Sequence, residues 1–319
     1  MIGIVILNYR NWDDTIECIR SIEKIKCKEL YHIYIVDNKS PNTEEYDLKY
    51  LKGNKYVTII WNDENKGYSA GNNIGIKIAK EQNCDAILIT NNDIRFEENS
   101  IDLMYQYLIQ NKNVGIVGPK VILKDGRTQR NNIYKKTTLK EKYLIRTKLN
   151  LMFKRLSKQY FGTKQSYEQE CSVYSVSGCC FLISKDCINM IKYLDENTFL
   201  YEEELILGIQ LENVLLKTIY YPIAVVKHLH GKSTNLVKPF AFTCMISSEI
   251  YYCINYLNAR KCSIIPLYIY RSLCFLGRCV FFSEFRSYIG KYLKITTAAF
   301  RGRRVDGRMW EYYHKTEIQ

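Results

Sequence analysis

Residues 2–7 form a run without a single polar side chain, and the same apolar, β-branched texture returns at residues 33–36, 57–60, 86–89 and 114–117. A strand of this kind has no face for water, so it belongs in a sheet covered on both sides. The segments between these runs read as helices. Asn11 is placed to cap the first, Asp13 and Asp14 favour the positive end of its dipole, and Trp12, Ile16, Ile19 and Ile22 recur at helical spacing. Ile74 and Ile78 mark a second helix after the turn Asn65-Lys66-Gly67, and Ser100–Gln110 reads as a third. Strands alternating with helices predict an α/β fold with a mainly parallel sheet flanked by helices.

In such sheets ligands bind beyond the carboxyl ends of the strands. Here those ends carry polar clusters: Asn8-Tyr9, Asp37-Asn38, the loop 62–73, and Asn91-Asn92-Asp93. Four clusters at four successive strand ends point to one site. The first strand-to-helix turn, Asn8-Tyr9-Arg10-Asn11, lacks the glycine-rich dinucleotide fingerprint, and no phosphate-loop motif occurs anywhere. A nucleotide bound here needs another way to neutralise its phosphates, and a metal ion held by oxygen ligands is the obvious one.

Charge narrows the partners. The chain of 319 residues carries +13, but residues 120–164 hold fourteen basic against two acidic residues, and residues 257–319 hold twelve against four. The remaining body is mildly acidic. Such segments suit a polyanion, an anionic membrane surface or a phosphorylated substrate. Nucleic acid fits poorly, because no recognised binding module accompanies the charge. Twelve cysteines without a Cys-x-x-Cys pair read as reduced, small apolar residues rather than a zinc site. The N-terminal run has no basic region of the signal-peptide kind. The nearest approach to a spanning segment, residues 263–285, is interrupted by Arg271 and Arg278, seven apart on one helical face. The region after about Val237 therefore reads as interfacial helices with arginines at lipid headgroups, the competing reading being a helical cap on the catalytic domain.

Seven segments in order, IVILNYRNWDDTIECIRSI, IYIVDNKSPN, NDENKGYSAGNNIGI, ILITNNDI, VSGCCFLISKD, DENTFLYEEELILG and VVKHLHGKS, resemble the family-2 glycosyltransferases. These are inverting enzymes of the GT-A fold, a Rossmann-like nucleotide-diphospho-sugar transferase architecture, and the likeness runs to bacterial rhamnosyltransferase-like polysaccharide transferases. It covers roughly residues 1–233. It implies a GT-A domain over residues 1–236, made of a donor half (1–118), a basic variable insert where the family often holds a mobile loop (119–170), and an acceptor and catalytic half (171–236). A basic helical region, 237–319, follows. By this resemblance Asp37, with Asn38 beside it, hydrogen-bonds the nucleotide base, which Asn8 and Tyr9 flank. Asn65, Gly67 and Asn73 line the donor site. Asn91-Asn92-Asp93 stands where the family has its D-x-D motif, with Asn91 replacing the first aspartate and Asp93 left as the metal carboxylate. Glu203-Glu204 matches an acidic pair whose second member, Glu204, is the catalytic base. His228, in H-x-x-G-x-S, completes the metal site, with His230 a weaker candidate.

Chemistry supports the same roles. A nucleoside-diphosphate leaving group needs positive charge or fixed dipoles, and Asp93 with His228 suits Mn²⁺ or Mg²⁺. An acceptor hydroxyl needs a carboxylate base, and Glu202, Glu203 and Glu204 raise one another's pKa if they share a pocket. Cys179 and Cys180 read as an apolar floor beside the acceptor. The expectation is a metal-dependent inverting transferase moving a sugar from a UDP- or dTDP-sugar to a polyprenyl-diphosphate-linked glycan in bacterial capsule or related polysaccharide assembly. It would be cytoplasmic and peripheral at the inner face of the membrane. The alternative is a catalytically inactive scaffold of a polysaccharide assembly complex, which Asn91 permits and the retention of Asp93, Glu204 and His228 opposes.

Overall fold

A computed structural model describes residues 1–25, 27–41, 43, 46–229 and 238–302. His230 and the boundary expected at residues 236–237 lie outside the described residues. Nine strands form one sheet: β1 (Ile2–Asn8), β2 (Tyr31–Asp37), β3 (Val57–Trp61), β4 (Ala86–Asn91), β5 (Ile94–Phe96), β6 (Val114–Leu123), β7 (Cys171–Val173), β8 (Cys180–Ser184) and β9 (Lys217–His228). Their order is β3-β2-β1-β4-β8-β6-β9-β5, with β7 also on β9. The donor half, β3-β2-β1-β4, is parallel. β8 runs antiparallel between β4 and β6, which makes the whole sheet mixed. β6 outlasts its expected end because it pairs in parallel with β9 as far as Leu123 opposite His228.

The side chains of β1 divide by pleat. Ile2, Ile4 and Ile6 join a core with α1 (Trp12–Lys24) and α4 (Ser100–Gln110), while Val5 faces α3 (Tyr68–Glu81) on the other side. Each fully buried Ile or Val stabilises the fold by about 1.5–3 kcal/mol relative to exposure. The short α2 (Lys49–Lys52) precedes β3. The N-cap expected for α1 is present, with Asn11 accepting from the Asp14 amide at 3.3 Å.

Residues 119–170, the expected basic insert, contain defined elements. They contain α5 (Leu139–Leu144), a 3₁₀ turn at Lys148–Leu151 and α6 (Lys154–Phe161). After β8 come α7 (Lys185–Ile191) and α8 (Glu203–Asn213), and beyond β9 lie α9 (Lys238–Asn255), α10 (Lys261–Phe281) and α11 (Ser283–Ala299). A third core joins these parts: Ile145 and Tyr160 of the insert, Phe199, Leu205, Ile206 and Ile209 around α8, and Phe240, Tyr252, Phe275 and Tyr292 of the last three helices. By length and composition α10 could cross a bilayer. Its Ile264, Leu267 and Phe275 are nevertheless buried in this core. Of the two arginines expected at headgroups, Arg271 instead forms an ion pair with buried Glu249 at 2.9 Å.

Candidate functional site

Parallel pairing sets the strand ends level: Asn8 is opposite Asp37, and Leu7 is opposite Asn91. The buried Asn8 amide donates to Asp37 Oδ1 at 2.7 Å, and its oxygen accepts from Thr15 at 2.8 Å and from the Asn92 amide at 3.2 Å. Asp37 also accepts from the Ser40 hydroxyl at 2.6 Å and the Ser40 amide at 2.8 Å. Its Oδ2 keeps room for one further donor. Asp37, Asn8 and Asn92 thus form one ladder across the ends of β2, β1 and β4.

A second layer locks the loop that follows β3. Asn65 Oδ1 accepts from the Asn38 amide at 2.8 Å and from Gly67 N–H at 3.0 Å, and Asn62 donates to Asn38 at 3.1 Å. Gly67 has φ +96°, and a Cβ there would stand 2.3 Å from the Phe199 carbonyl oxygen. Only glycine allows this approach. It brings the loop against the segment leading into α8, where Tyr68 N–H donates to the Phe199 carbonyl at 2.9 Å. Asn73 does not join the cluster. Its amide donates to the Leu194 carbonyl at 2.9 Å and to Glu196 at 2.8 Å, and its oxygen accepts from Leu194 N–H at 3.1 Å. Tyr9 is half-buried at the rim of the third core, with the Arg10 guanidinium 5.5 Å from its ring centre.

β5 pairs antiparallel with β9, placing Ile94 opposite His228. Asp93 Oδ2 consequently lies 3.2 Å from His228 Nε2. Both Asp93 oxygens are buried and, among the described residues, accept no hydrogen bond. His228 Nδ1 faces Gln129 Oε1 at 2.9 Å, and a ring that carries its proton on Nδ1 offers Nε2 as a metal ligand beside Asp93. The buried Asp93 oxygens, which accept no hydrogen bond among the described residues, suit a cation, and neighbouring ligands of octahedral Mg²⁺ or Mn²⁺ lie about 3 Å apart. The donor set therefore fits two positions of a divalent metal. Among the described residues no cluster of three or more His, Cys, Asp or Glu side chains could hold one alone. Asn91 is tied through its backbone N–H to the Cys179 carbonyl at 2.8 Å.

The glutamates separate. Tyr201 and Glu202 have φ of +72° and +73°, a strained turn that opens α8. Glu202 is paired with the wholly buried Lys142, 2.5 Å away, and its charge still helps to raise the carboxyls of Glu203 and Glu204. Glu204 accepts from Gly178 N–H at 3.2 Å, and a Cβ at Gly178 would stand 2.6 Å from the same oxygen. Burial raises the Glu204 pKa above the ordinary carboxylate range, against the opposing pull of the Gly178 amide and the Arg146 charge. Burial, then the Glu204 charge, raises Glu203 further still. The Cys179 thiol, pushed up to about 12 chiefly by burial, feels both Asp93 and Glu204. Glu204 is held at Gly178 and the next residue, Cys179, accepts from the N–H of Asn91, two residues before Asp93, so both acidic groups meet the segment 178–179, and the floor expected of Cys179 and Cys180 is an inert one.

Three contributors escaped the sequence reading. Lys142 holds Glu202 and lies 3.6 Å from Glu249. Burial alone would raise Glu249, but Lys142 and Arg271 outweigh it and the carboxyl is lowered. Gln129 orients His228, and its own amide reaches Ser177 at 3.3 Å. Ser177 in turn donates to Cys179 at 3.2 Å. The only signal for Ser177 was its place in the segment VSGCC; Lys142 and Gln129 lay hidden in a basic insert.

The chain is similar to the low-salt glycan biosynthesis hexosyltransferase Agl10 of Haloferax volcanii, with 24% identity over 205 residues, 64% of this chain and 59% of that protein. Its fold resembles GalNAc-T7, solved with UDP, GalNAc and Mn²⁺, at a TM-score of 0.53 and 14% identity over 73% of this chain and 44% of that one. It also resembles residues 1–349 of S. aureus TarS, at a TM-score of 0.51 and 10% identity over 80% and 65% of the two chains. The chain spans less than two thirds of each of these relatives. The structural likenesses show the GT-A fold, a mixed sheet flanked by helices with a helical C-terminal region. The sequence profile of glycosyl transferase family 2 matches residues 3–189, more than half of the chain, and the chain belongs to that family.

Proposed function

We propose that the protein is an inverting, divalent-metal-dependent glycosyltransferase that moves a sugar from a UDP- or dTDP-sugar to a hydroxyl of a glycan acceptor. The observation that carries this reading is the 3.2 Å approach of Asp93 to His228, together with Glu204 held at 3.2 Å by the N–H of Gly178, the residue before Cys179, whose carbonyl accepts from Asn91 N–H at 2.8 Å. Asp37 Oδ2 has the open acceptor position needed for an N–H of the nucleotide base. Asp93 and His228 would hold Mn²⁺ or Mg²⁺, which when bound supplies positive charge against the departing diphosphate.

Glu204 takes the proton of the acceptor hydroxyl as its oxygen bonds to the anomeric carbon. The bond from that carbon to the phosphate oxygen breaks, and attack opposite the leaving group inverts the centre. Gly178 N–H and Tyr68, whose hydroxyl donates to the Gly178 carbonyl at 2.5 Å, keep the base aimed. The acceptor is read as a sugar on polyprenyl diphosphate, presented at the inner face of a bacterial membrane during surface polysaccharide assembly. The exposed basic residues of the insert and the helical cap support an anionic surface as partner.

A thermal-shift screen of UDP, dTDP and GDP sugars with and without Mn²⁺ tests the donor side. A metal-dependent stabilisation by one nucleotide is expected, abolished by Asp93→Ala and by EDTA. Full transfer activity in EDTA would refute the metal role.

A further inference from the structure

One cleft of the helical cap has the composition of a lipid headgroup site. It lies between residues 146–150 and α10, encloses about 940 Å³, and is lined by Arg146, Lys148 and Arg278 with Phe242, Leu273 and Phe281. The walls are joined: Lys148 N–H donates to the Tyr270 hydroxyl at 3.0 Å, and Arg271 donates to the Arg146 carbonyl at 2.9 Å. Glu249 neutralises Arg271. Among the described residues, no carboxylate lies within the 4.0 Å of an ion pair from Arg146, Lys148 or Arg278. Three cations stand around a partly apolar cleft, the Arg278 guanidinium 4.4 Å from the Phe242 ring centre.

From the cleft, through Leu273, an apolar stripe runs along α10. Ile265, Ile269, Leu273, Leu276 and Val280 recur every three or four residues and are between 46% and 70% exposed. On the other wall Leu151 and Met152 are 70% and 77% exposed. A free sugar phosphate would satisfy the cations and leave this stripe in water, whereas a lipid satisfies both. The chain Arg271–Glu249–Lys142 ties the middle of α10 to the turn that opens α8, which fixes the helix to the body of the protein. Arg146 and Lys148 are both exposed at the cleft.

We infer that this cleft binds the diphosphate headgroup of a lipid-linked acceptor, with Arg146, Lys148 and Arg278 on phosphate oxygens and the isoprenoid chain along the outer face of α10. The inference deepens the acceptor reading above and rests on it. The test is co-sedimentation of the full chain with vesicles of phosphatidylcholine alone, with phosphatidylglycerol, and with undecaprenyl diphosphate at matched surface charge. Undecaprenyl diphosphate vesicles should bind about tenfold or more tightly than the phosphatidylglycerol ones, because bidentate arginine contacts favour a clustered diphosphate. The double variant K148E/R278E should erase that difference. K154E/R155E, an equal charge change on α6 outside the cleft, should keep it. Should the reversal lower the melting temperature, K148Q/R278Q makes the comparison without adding charge. Equal binding to the two anionic vesicles, or equal loss in both reversals, overturns the headgroup site. Failure of the wild type to bind or hydrolyse any sugar nucleotide would instead overturn the transfer reading, so the two failures are distinguishable.

Discussion

At the scale of single residues, the two adjacent glutamates of α8 have different work, and their environments separate them. Glu204 has the Gly178 amide to stabilise its charge, whereas one Glu203 oxygen is enclosed without a partner among the described residues. Burial raises both carboxyls above the ordinary range and Glu203 also feels the Glu204 charge, so the two titrate as a pair. Glu204→Gln should lower turnover by about 10²- to 10⁴-fold with donor binding intact. Glu203→Gln should leave the acid limb of kcat/KM in place, above the ordinary Glu value of about 4.3. Stability follows the opposite group. A carboxyl whose folded pKa is raised holds its proton while the unfolded chain has lost it, so wild-type stability falls as pH rises from about 4.3 toward the folded value. Glu203→Gln removes that loss, and its melting temperature should exceed that of the wild type increasingly with pH. A constant offset across the range, or a turnover loss as large as that of Glu204→Gln, would reverse the two assignments.

At the scale of elements, legibility depended on whether partners lay in one segment. β1, β2 and β4 could be read because Ile4, Ile35 and Leu88 sit in runs that no solvated strand tolerates. The ladder of Asp37, Asn8 and Asn92 could be anticipated because parallel strands end level. The pairing of Asp93 with His228 depends on β5 meeting β9 in one register, which no spacing in the chain records. Residues 142, 202, 249 and 271 form a single charged cluster from four separate elements, and no local pattern marks it. Lys142 looked like one of fourteen basic residues on a solvated segment, yet it is wholly buried. Removing one partner of such a cluster leaves uncompensated buried charge, a loss on the order of 3–5 kcal/mol. Lys142→Met should therefore melt well below the wild type and slow turnover, because the strained Tyr201–Glu202 turn loses its anchor. Glu202→Gln added to Lys142→Met should recover part of both. Thermal melts with steady-state kinetics check this, and a normal kcat in folded Lys142→Met would remove the cluster from catalysis.

At the scale of the whole molecule, the family match ends at residue 189, before Glu203, Glu204, His228 and the cap. What lies beyond holds the proposed base, one candidate metal ligand and the helices packed around them. The composition of the tail predicts a separable membrane-binding region, whose removal after about Pro239 leaves the donor site intact unless the tail packs on the core. It does pack there. Phe240, Ile246, Ile250 and Tyr252 of α9 are buried in the same core as Phe199, Leu205 and Ile206, which neighbour Glu203 and Glu204 in the chain. Glu249, on the same helix, is a counter-ion of Lys142. A chain ending at residue 237 would uncover α8, lose about 1.5–3 kcal/mol for each large apolar side chain exposed, and leave Lys142 with one carboxylate fewer. A protein's net stability is only about 5–15 kcal/mol, so a handful of such losses is decisive. The truncated chain should show no cooperative thermal transition and no metal-dependent stabilisation by any sugar nucleotide. Near-ultraviolet circular dichroism and calorimetry of the two chains decide the matter. An unchanged transition and donor affinity would make the cap an independent unit, and its outward stripe on α10 would lose its mechanical tie to the carboxylates inside.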